Sequence, residues 1–499
     1  MSVLDRRELV TPTGVSTSRI GGLDGVRALA VVAVLVFHAS AAWAPGGFAG
    51  VDVFFVVSGF LITTLLLREQ ETTGRLNLPA FYVRRARRLL PAAVVVVIVA
   101  GLAALAVGGD ILVGLLASLF GIATLTQNWV MLAAGNDYFA QAGTGLFDNF
   151  WSLAIEEQFY LVWPAVLALG FRSGRSPRQG WIGLAVAVSV AVPLAMVVAG
   201  YGAAAYLSTF GHLFGLLIGV WLAVALIRRT PSASTVTRIV GTTLIAVGLL
   251  AFGAVSFSDL GAAVERQTLT SLAGAAAGAA LVVGCVLTTT PRPHLLDAGA
   301  LGWLGRRSYG VYLWHLPLIV LADAALPALP DLGRLPGRLL AVVLSVGLAA
   351  LSYRYLEEPI RRRGFLATVV RPWPGRLAGV TAVLLLAAVA AGTALLAPAQ
   401  TSVAALIAAQ TSAGASPVGA DLISAPMVAV GDSVMLASKR ALQESFPQVS
   451  VDAQENRQLT KAAGEVTAVL GTHPQARVVV IGLGINGVGS SQDLEQAVA

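Results

Sequence analysis

Residues 22–43 read GLDGVRALAVVAVLVFHASAAW. A helix of about 20 mostly apolar residues spans the hydrocarbon core of a bilayer, and this run is long enough. Arg27 and His38 interrupt it. Eleven residues apart on an α-helix, they stand about 16 Å from one another and within about 20° of one face. An ionisable group inside a spanning run is costly and is a functional candidate by default. One face of this helix therefore carries a fixed cation near one end and a titratable imidazole toward the other.

The rest of the chain repeats the pattern. Of 499 residues, 56% are hydrophobic and 12% charged, whereas a soluble chain carries about 25% charged residues. A soluble globular enzyme, a disordered chain and a fibrous protein are excluded. Further apolar runs lie near 48–67, 89–108, 111–132, 150–169, 181–201, 210–227, 239–257, 269–289, 309–326, 338–356 and 376–397.

The basic residues test these runs, because Lys and Arg concentrate in cytoplasmic loops. Arg6, Arg7 and Arg19 precede the first run, with nothing resembling a cleavable signal peptide. The loop after the second run holds Arg68, Arg75, Arg84, Arg85, Arg87 and Arg88, and later basic groups fall at 172–178, 228–238, 292–307 and 361–376. If every run crossed, those later groups would lie outside, so either 111–132 or 150–169 does not cross. The stretch 109–149 holds no Lys or Arg, which favours 111–132 as the re-entrant or peripheral segment. The expected fold is an all-α polytopic membrane domain with about eleven crossings, its N-terminus cytoplasmic.

The net charge of +7 is uneven: residues 1–397 hold 28 arginines against 18 acids, while 398–499 hold five basic residues against eight acids. This is topology charge and not a nucleic-acid signature. Cys285 is the lone cysteine and reads as a small apolar residue within a membrane helix. Residues 398–425 turn to Ala, Ser, Gln and Gly, an exposed linker. From Pro426 the pattern is soluble α/β, with β runs at 427–430, 449–452 and 477–481 and helical stretches near 434–445 and 459–470.

Other polar residues qualify as site candidates. Asp52 opens the second run, where it would reach back to orient the His38 imidazole. Ser58 lies amid bulky residues in FFVVSGFLIT, read also as a helix-packing position. Four guanidiniums at Arg84, Arg85, Arg87 and Arg88 suit a polyphosphorylated ligand, since Arg binds phosphate through bidentate hydrogen bonds. Glu156 and Glu157 are costly inside an apolar run, and at most one of them shares a cavity with His38. His315 is expected nearer the cytoplasmic end of its run. His212 and His294 read as structural. No pair of histidines has metal-ligand spacing, so no metal site is expected.

Together LDGVRALAVVAVLVFH (23–38), GVDVFFVVSGFLITTLL (50–66), RRARRLLP (84–91), WSLAIEEQFYLVWP (151–164), SYGVYLWHLP (308–317) and LEEPIRR (356–362) resemble the acyltransferase-3 family of integral-membrane O-acyltransferases. The resemblance covers most of residues 20–365 in the family's order. It implies transfer of an acyl group, usually acetyl, from cytoplasmic acyl-CoA to a carbohydrate hydroxyl outside the membrane. The family's essential Arg and His map onto Arg27 and His38, and its basic motif onto Arg84–Arg88. Where many members have Thr-Arg and a later Glu, this chain has Gly211, His212 and Gly215. The tail resembles an SGNH hydrolase domain, of α/β/α flavodoxin-like fold, with Ser433 of VAVGDSV as its nucleophile and Asn486 of GLGINGV as its oxyanion-hole residue. The Asp-x-x-His block that supplies the base in that family is absent, so an incomplete domain is expected.

The organisation expected is a cytoplasmic tail (1–20), a membrane domain (21–365), an additional transmembrane helix (366–397), the linker (398–425) and the extracytoplasmic SGNH-like domain (426–499). The function expected is acylation of a cell-envelope glycan at the bacterial plasma membrane, with acetyl-CoA as donor substrate and no permanent cofactor. A transporter or flippase for a glycan precursor is the alternative, since it shares the many crossings and intramembrane charges.

Overall fold

The computed structural model describes residues 20–134, 144–174, 177–227, 234–258, 264–290, 294–326, 329, 332–364, 373–398, 426–432, 435–436, 439, 442–443, 446, 448–454 and 462–483. Up to residue 398 it is helical. In chain order the helices are α1 (Leu23–Ala39), α2 (Gly50–Thr73), α3 (Leu78–Val107), α4 (Leu115–Ala123), α5 (Gln127–Ala133), α6 (Phe150–Arg172), α7 (Gln179–Val198) and α8 (Gly202–Leu207). Next come α9 (Thr209–His212), α10 (Phe214–Leu226), α11 (Thr235–Phe257), α12 (Val264–Thr288), α13 (Gly299–Ala325), α14 (Leu335–Ser352), α15 (Glu358–Arg363) and α16 (Trp373–Leu396). A π-helical turn, Tyr353–Glu357, joins α14 to α15.

Among the described residues, eight helical stretches are long and apolar enough to cross a membrane: Gly47–Thr73, Leu78–Val107, Phe150–Arg172, Gln179–Val198, Thr235–Phe257, Gln267–Thr288, Leu335–Arg363 and Leu377–Leu396. A count of eleven also needs α1, α10 and α13. The first two have 17 and 13 residues, and α13, at 27 residues, carries Arg306, Arg307 and Asp323. Segment 111–132 is not one helix. It divides into a 3-10 turn, nine-residue α4 and seven-residue α5. At about 1.5 Å per residue neither short helix reaches half of a core about 30 Å thick. The rival segment lies inside the unbroken α6.

Several helices begin earlier than the apolar runs imply. The arginines at 84–88 are helical residues and not a loop, because α3 starts at Leu78. The Asn77 side chain caps that start, accepting the Ala80 N–H at 3.1 Å, and Pro79 sits in the first turn, where its missing N–H costs nothing. Likewise α13 starts at Gly299, ten residues ahead of its apolar run. The run 210–227 is interrupted at Leu213, between α9 and α10.

α2 lies at the centre, packed against α1, α6, α10 and α12, while α13 packs against α1, α3 and α14. Small residues set these approaches. A methyl group at Gly59 would run into the Leu216 carbonyl of α10, and one at Gly305 into the Asp24 carbonyl of α1. Lipid tails are as apolar as Leu, so backbone proximity of this kind is a main source of helix association in a bilayer.

Beyond the linker, strands β1 (Met427–Gly431), β2 (Val449–Ala453) and β3 (Val478–Gly482) form a parallel sheet in the order β2-β1-β3. Helix α17 (Ala462–Thr472) connects β2 to β3, and its Val466 and Val469 cover Val428 and Val430 of the central strand. The three strands fall where the sequence places them. Residues 399–425, most of the expected helix near 434–445, and Ser433 and Asn486 lie outside the described residues.

Candidate active site

The last turn of α1 presents His38 to α13. Its Nδ1 lies 3.0 Å from the Val34 carbonyl oxygen and 3.3 Å from Nε2 of His315. The two ring centroids are 4.9 Å apart. His315 is fully buried, and its Nδ1 lies 2.6 Å from the Tyr312 carbonyl oxygen. Carbonyl oxygens only accept, so each Nδ1 carries the proton. His315 Nε2 is then an acceptor facing His38, and the lone pair of His38 falls on Nε2. One histidine thereby fixes the tautomer and ring plane of the other. His315 does not sit early in its helix: α13 starts ten residues before the apolar run, which makes His315 the seventeenth of its 27 residues, level with the last turn of α1.

The support for this pair comes from α6. Asn149 Nδ2 donates to the Tyr312 carbonyl at 2.7 Å, and the Tyr312 hydroxyl lies 2.7 Å from that of Ser152. In the turn before α6, the Asp148 carboxylate accepts the Gly145 N–H at 2.6 Å. Burial pushes the Asp148 carboxyl up to about 6.

Asp52 does not orient His38. Its Oδ1 lies 2.9 Å from Nε2 of His212, and both side chains are buried. The other ring nitrogen of His212 lies 2.8 Å from the Tyr206 carbonyl oxygen. Trp151, Tyr206 and Phe214 surround the ring at centroid distances of 5.1, 4.9 and 5.3 Å. Asp52 sits in the first turn of α2, where its carboxylate meets His212 of α9.

Toward the start of α1, Arg27 lines a pocket together with Arg88 of α3 and with Arg306 and Tyr309 of α13. The π-turn and α15 supply Tyr353, Glu357, Glu358 and Arg361. Beside it, Ser58 and the Tyr160 hydroxyl both donate to Glu156. The Arg85 guanidinium lies 4.0 Å over the Tyr160 ring, a cation–π arrangement. Glu156, Tyr160 and Arg85 are the charged and polar groups that act electrostatically on Arg27. Glu157 acts in the same way on Tyr309. Neither carboxylate bonds to His38.

The four arginines of α3 do not act as one cluster, because helical geometry turns them in different directions. Arg85 and Arg88 face inward as described. Arg84 is exposed and pairs with Glu69 at 3.2 Å. Arg87 lies on Gly364, where an added Cβ would sit 3.0 Å from its Cζ. Gly364 ends α15 at φ 84°, a conformation that favours glycine.

Two further groups emerge only from the fold. Arg306, Tyr353, Glu357, Glu358 and Arg361 enter the arginine pocket from SYGVYLWHLP, LEEPIRR and their flanks, segments in which the sequence singles out His315 alone. The second group is a polar network. Gln158 Nε2 donates to the Leu125 carbonyl at 2.7 Å and to Asn128 Oδ1 at 3.0 Å, and Thr209 Oγ1 donates to Gln158 Oε1 at 2.5 Å. Leu125 has φ 60°, and backbone strain of this kind costs about 1–3 kcal/mol unless the surroundings hold it. No sequence pattern announces that network.

The family model described as "Acyltransferase domain" matches residues 20–354. The peptidoglycan O-acetyltransferase OatA of Listeria monocytogenes serovar 1/2a is 31% identical over 545 residues, a match covering 95% of this chain and 85% of the relative. That coverage takes in part of the region beyond residue 397 as well. The putative peptidoglycan O-acetyltransferase YrhL of Bacillus subtilis is 35% identical over 364 residues, covering 69% of this chain and 55% of the relative. A putative O-acetyltransferase of Staphylococcus aureus (strain COL) is 31% identical over 368 residues, with 71% and 59% covered. The chain thus spans little more than half the length of these last two. No solved structure matches it significantly. With helices fit to cross a bilayer and a family match over two thirds of its length, the chain belongs to the acyltransferase domain family and is a membrane O-acyltransferase.

Proposed function

We propose that this enzyme moves an acetyl group from cytoplasmic acetyl-CoA through the membrane domain to hydroxyls of an extracytoplasmic cell-envelope glycan. The acceptor class is taken from the relatives, two of which carry peptidoglycan in their names. The observation that carries the reading is the division of α1 into two ends: Arg27 in an arginine-lined pocket, and His38 held by His315. The separation of about 16 Å along the helix suits a donor whose charged end is gripped at one site while its extended pantetheine arm brings the thioester toward the other.

His38 Nε2 is the reacting atom in this scheme. It either takes the proton of the acceptor hydroxyl as that oxygen attacks the acyl carbon, or attacks the carbon itself and carries the acyl group to the acceptor. In both routes the C–S bond breaks, CoA leaves as its thiolate and the hydroxyl proton ends on solvent or thiolate. His315 keeps Nδ1 of His38 engaged, so Nε2 stays the basic atom. Arg27, Arg85 and Arg88 serve the donor, and Ser58, Glu156 and Tyr160 hold that end of the cavity in shape. In this reading α1, α10 and α13 cross as well, for eleven crossings in the plasma membrane with the N-terminus inside and the α/β tail outside. In this reading the tail is an SGNH-like domain in which Ser433 and Asn486 serve the acyl group after transfer.

The test is incubation of membranes containing the full chain with acetyl-CoA labelled in the acetyl group. The label is expected in the envelope glycan, released by mild base as acetate. Labelled glycan at the level of membranes lacking the protein would contradict the proposal.

A further inference from the structure

The histidine end of α1 has a charged group beside it that the transfer scheme does not use. From 308 to 353 Arg334 and Arg338 are the only arginines and lysine is absent. In the orientation proposed above they lie on the outer side, where Lys and Arg are disfavoured. Both stand at the start of α14, past the loop that leaves α13. Leu329 and Gly333 close that loop by donating to each other's carbonyls at 2.9 and 2.8 Å, and Gly333 turns the chain at φ 57°. α14 is in contact with α1, and Arg338 lies near enough to His38 to act on it electrostatically.

Asp323 of α13 orders both guanidiniums. It stands eight residues beyond His315, about 12 Å further along the helix. Arg338 Nε lies 3.0 Å from each of its carboxylate oxygens and Nη2 lies 2.8 Å from Oδ2, a charge-assisted pair. The backbone carbonyl of Asp323 accepts from Arg334 Nη1. One carboxylate thus stands against two cations, and the group keeps a net positive charge. Arg334 Nε is buried without a partner. Arg334 Nη2 and Arg338 Nη1 have no hydrogen bond among the described residues. A buried donor without an acceptor is costly, so these nitrogens suit an oxyanion that comes from outside the chain.

We infer that Arg334 and Arg338 form an acceptor subsite beside His38, binding a carboxylate carried by the glycan, while Asp323 positions both guanidiniums. The inference rests on the reading that the acceptor is an extracytoplasmic glycan of the peptidoglycan class. Its hydroxyl has to reach Nε2 of His38 from the end of α1 that these two arginines flank. A sugar hydroxyl alone gives a guanidinium only a neutral acceptor. A carboxylate on the sugar or on its peptide arm supplies the planar pair of oxygens that the guanidinium fork matches. An anionic lipid headgroup offers oxyanions to the same nitrogens, and the experiment separates the two sources.

Full-length protein in phosphatidylcholine nanodiscs is given acetyl-labelled acetyl-CoA and a peptidoglycan oligosaccharide in two forms, its carboxylates free or methyl-esterified. The wild type should show a KM for the free form about tenfold below that for the ester, the size expected of one charge-assisted hydrogen bond. Arg334→Gln should erase most of that preference by raising KM for the free form, with kcat and the KM for acetyl-CoA within about threefold of wild type. Arg334→Lys should restore part of it, since the charge returns without the fork. Arg338→Gln combined with Asp323→Asn removes the ion pair without stranding a charge and should give the same loss. Equal KM for the two forms in the wild type, or a preference that the variants retain, would overturn the inference and leave the acetyltransferase reading standing. A KM for acetyl-CoA that rises in step with that for the glycan would mark a structural role and overturn it as well. So would a variant effect seen only when phosphatidylglycerol is added to the nanodisc, which would make the arginines a lipid site. Transfer to neither form by the wild type would overturn both the inference and the reading beneath it.

Discussion

The two ends of α1 are built on opposite plans. At the histidine end the chain supplies the partners: Val34 and His315 engage one nitrogen of His38, Tyr312 engages His315, and Asn149 and Ser152 engage Tyr312. At the arginine end, Arg27, Arg88 and Arg306 have no ion pair among the described residues. In the proposed scheme the difference follows from what each end has to do. An imidazole that reacts at one nitrogen must have the other fixed beforehand, and fixed neighbours do this best. A site for a charged donor has to leave its cations available until the donor arrives.

The largest expected effect lies outside both ends and tests whether Asp52 belongs to either. Asp52→Ala leaves His212 buried without its carboxylate, and breaking such a pair costs about 3–5 kcal/mol. The variant should lose most of its thermally stable, monodisperse population in detergent, while His38→Ala should not. Wild-type stability of Asp52→Ala with lost transfer would return Asp52 to the histidine end.

Next in size is His315. His315→Ala frees the His38 ring and should lower the transfer rate about 10²-fold, the lower range for a displaced general base, without changing CoA affinity. His315→Gln, whose amide oxygen can accept from Nδ1 of His38, should recover part of the rate. Equal damage in both variants would make His315 a packing residue only.

Smaller again is the effect of Arg85→Gln with Arg88→Gln, expected to weaken CoA binding about tenfold without inverting topology, since Arg68, Arg75, Arg84 and Arg87 remain. Titration in detergent measures it. Unchanged affinity would reduce the inward arginines to topology signals.

The smallest effect concerns the turn that supports the histidine end. Because burial raises the Asp148 carboxyl to about 6, against about 3.9 in an unfolded chain, the folded state holds the proton more tightly. Stability therefore falls as pH rises between those two values. Asp148→Asn keeps an acceptor for the Gly145 N–H and removes the titration. It should melt a few degrees higher than wild type above pH 6, the gap narrowing toward pH 4. A constant gap would show that Asp148 does not titrate in that window.

How much of this is legible in the sequence differs between the two ends as well. Arg27 and His38 stand out because charge inside an apolar run is conspicuous and eleven residues return to the same helix face. The tail strands are readable from short β runs, and their parallel order β2-β1-β3 agrees with an α/β reading. Apolarity marks where lipid is and not where a helix begins. Hence α3 and α13 start ten or so residues before their runs, which places the arginines on a helix and His315 beside His38. The partner of Asp52 escapes the sequence because pairing across helices depends on which faces meet, and Gly59 and Gly219, which seat α2 on α10, give no sign of direction. The π-turn is invisible as well: YRYLE is an acceptable α-helical sequence, and no residue in it marks the wider turn.

If α1 separates donor binding from acyl transfer, one variant should uncouple the two. Full-length His38→Ala is compared with wild type in two measurements on the same preparation: CoA affinity by calorimetry, and transfer of labelled acetyl from acetyl-CoA to envelope glycan. CoA affinity should stay within about twofold of wild type while transfer falls about 10³-fold or more, as expected when the reacting group itself is removed. Retained transfer, or a loss of CoA binding that matches the loss of transfer, would contradict it.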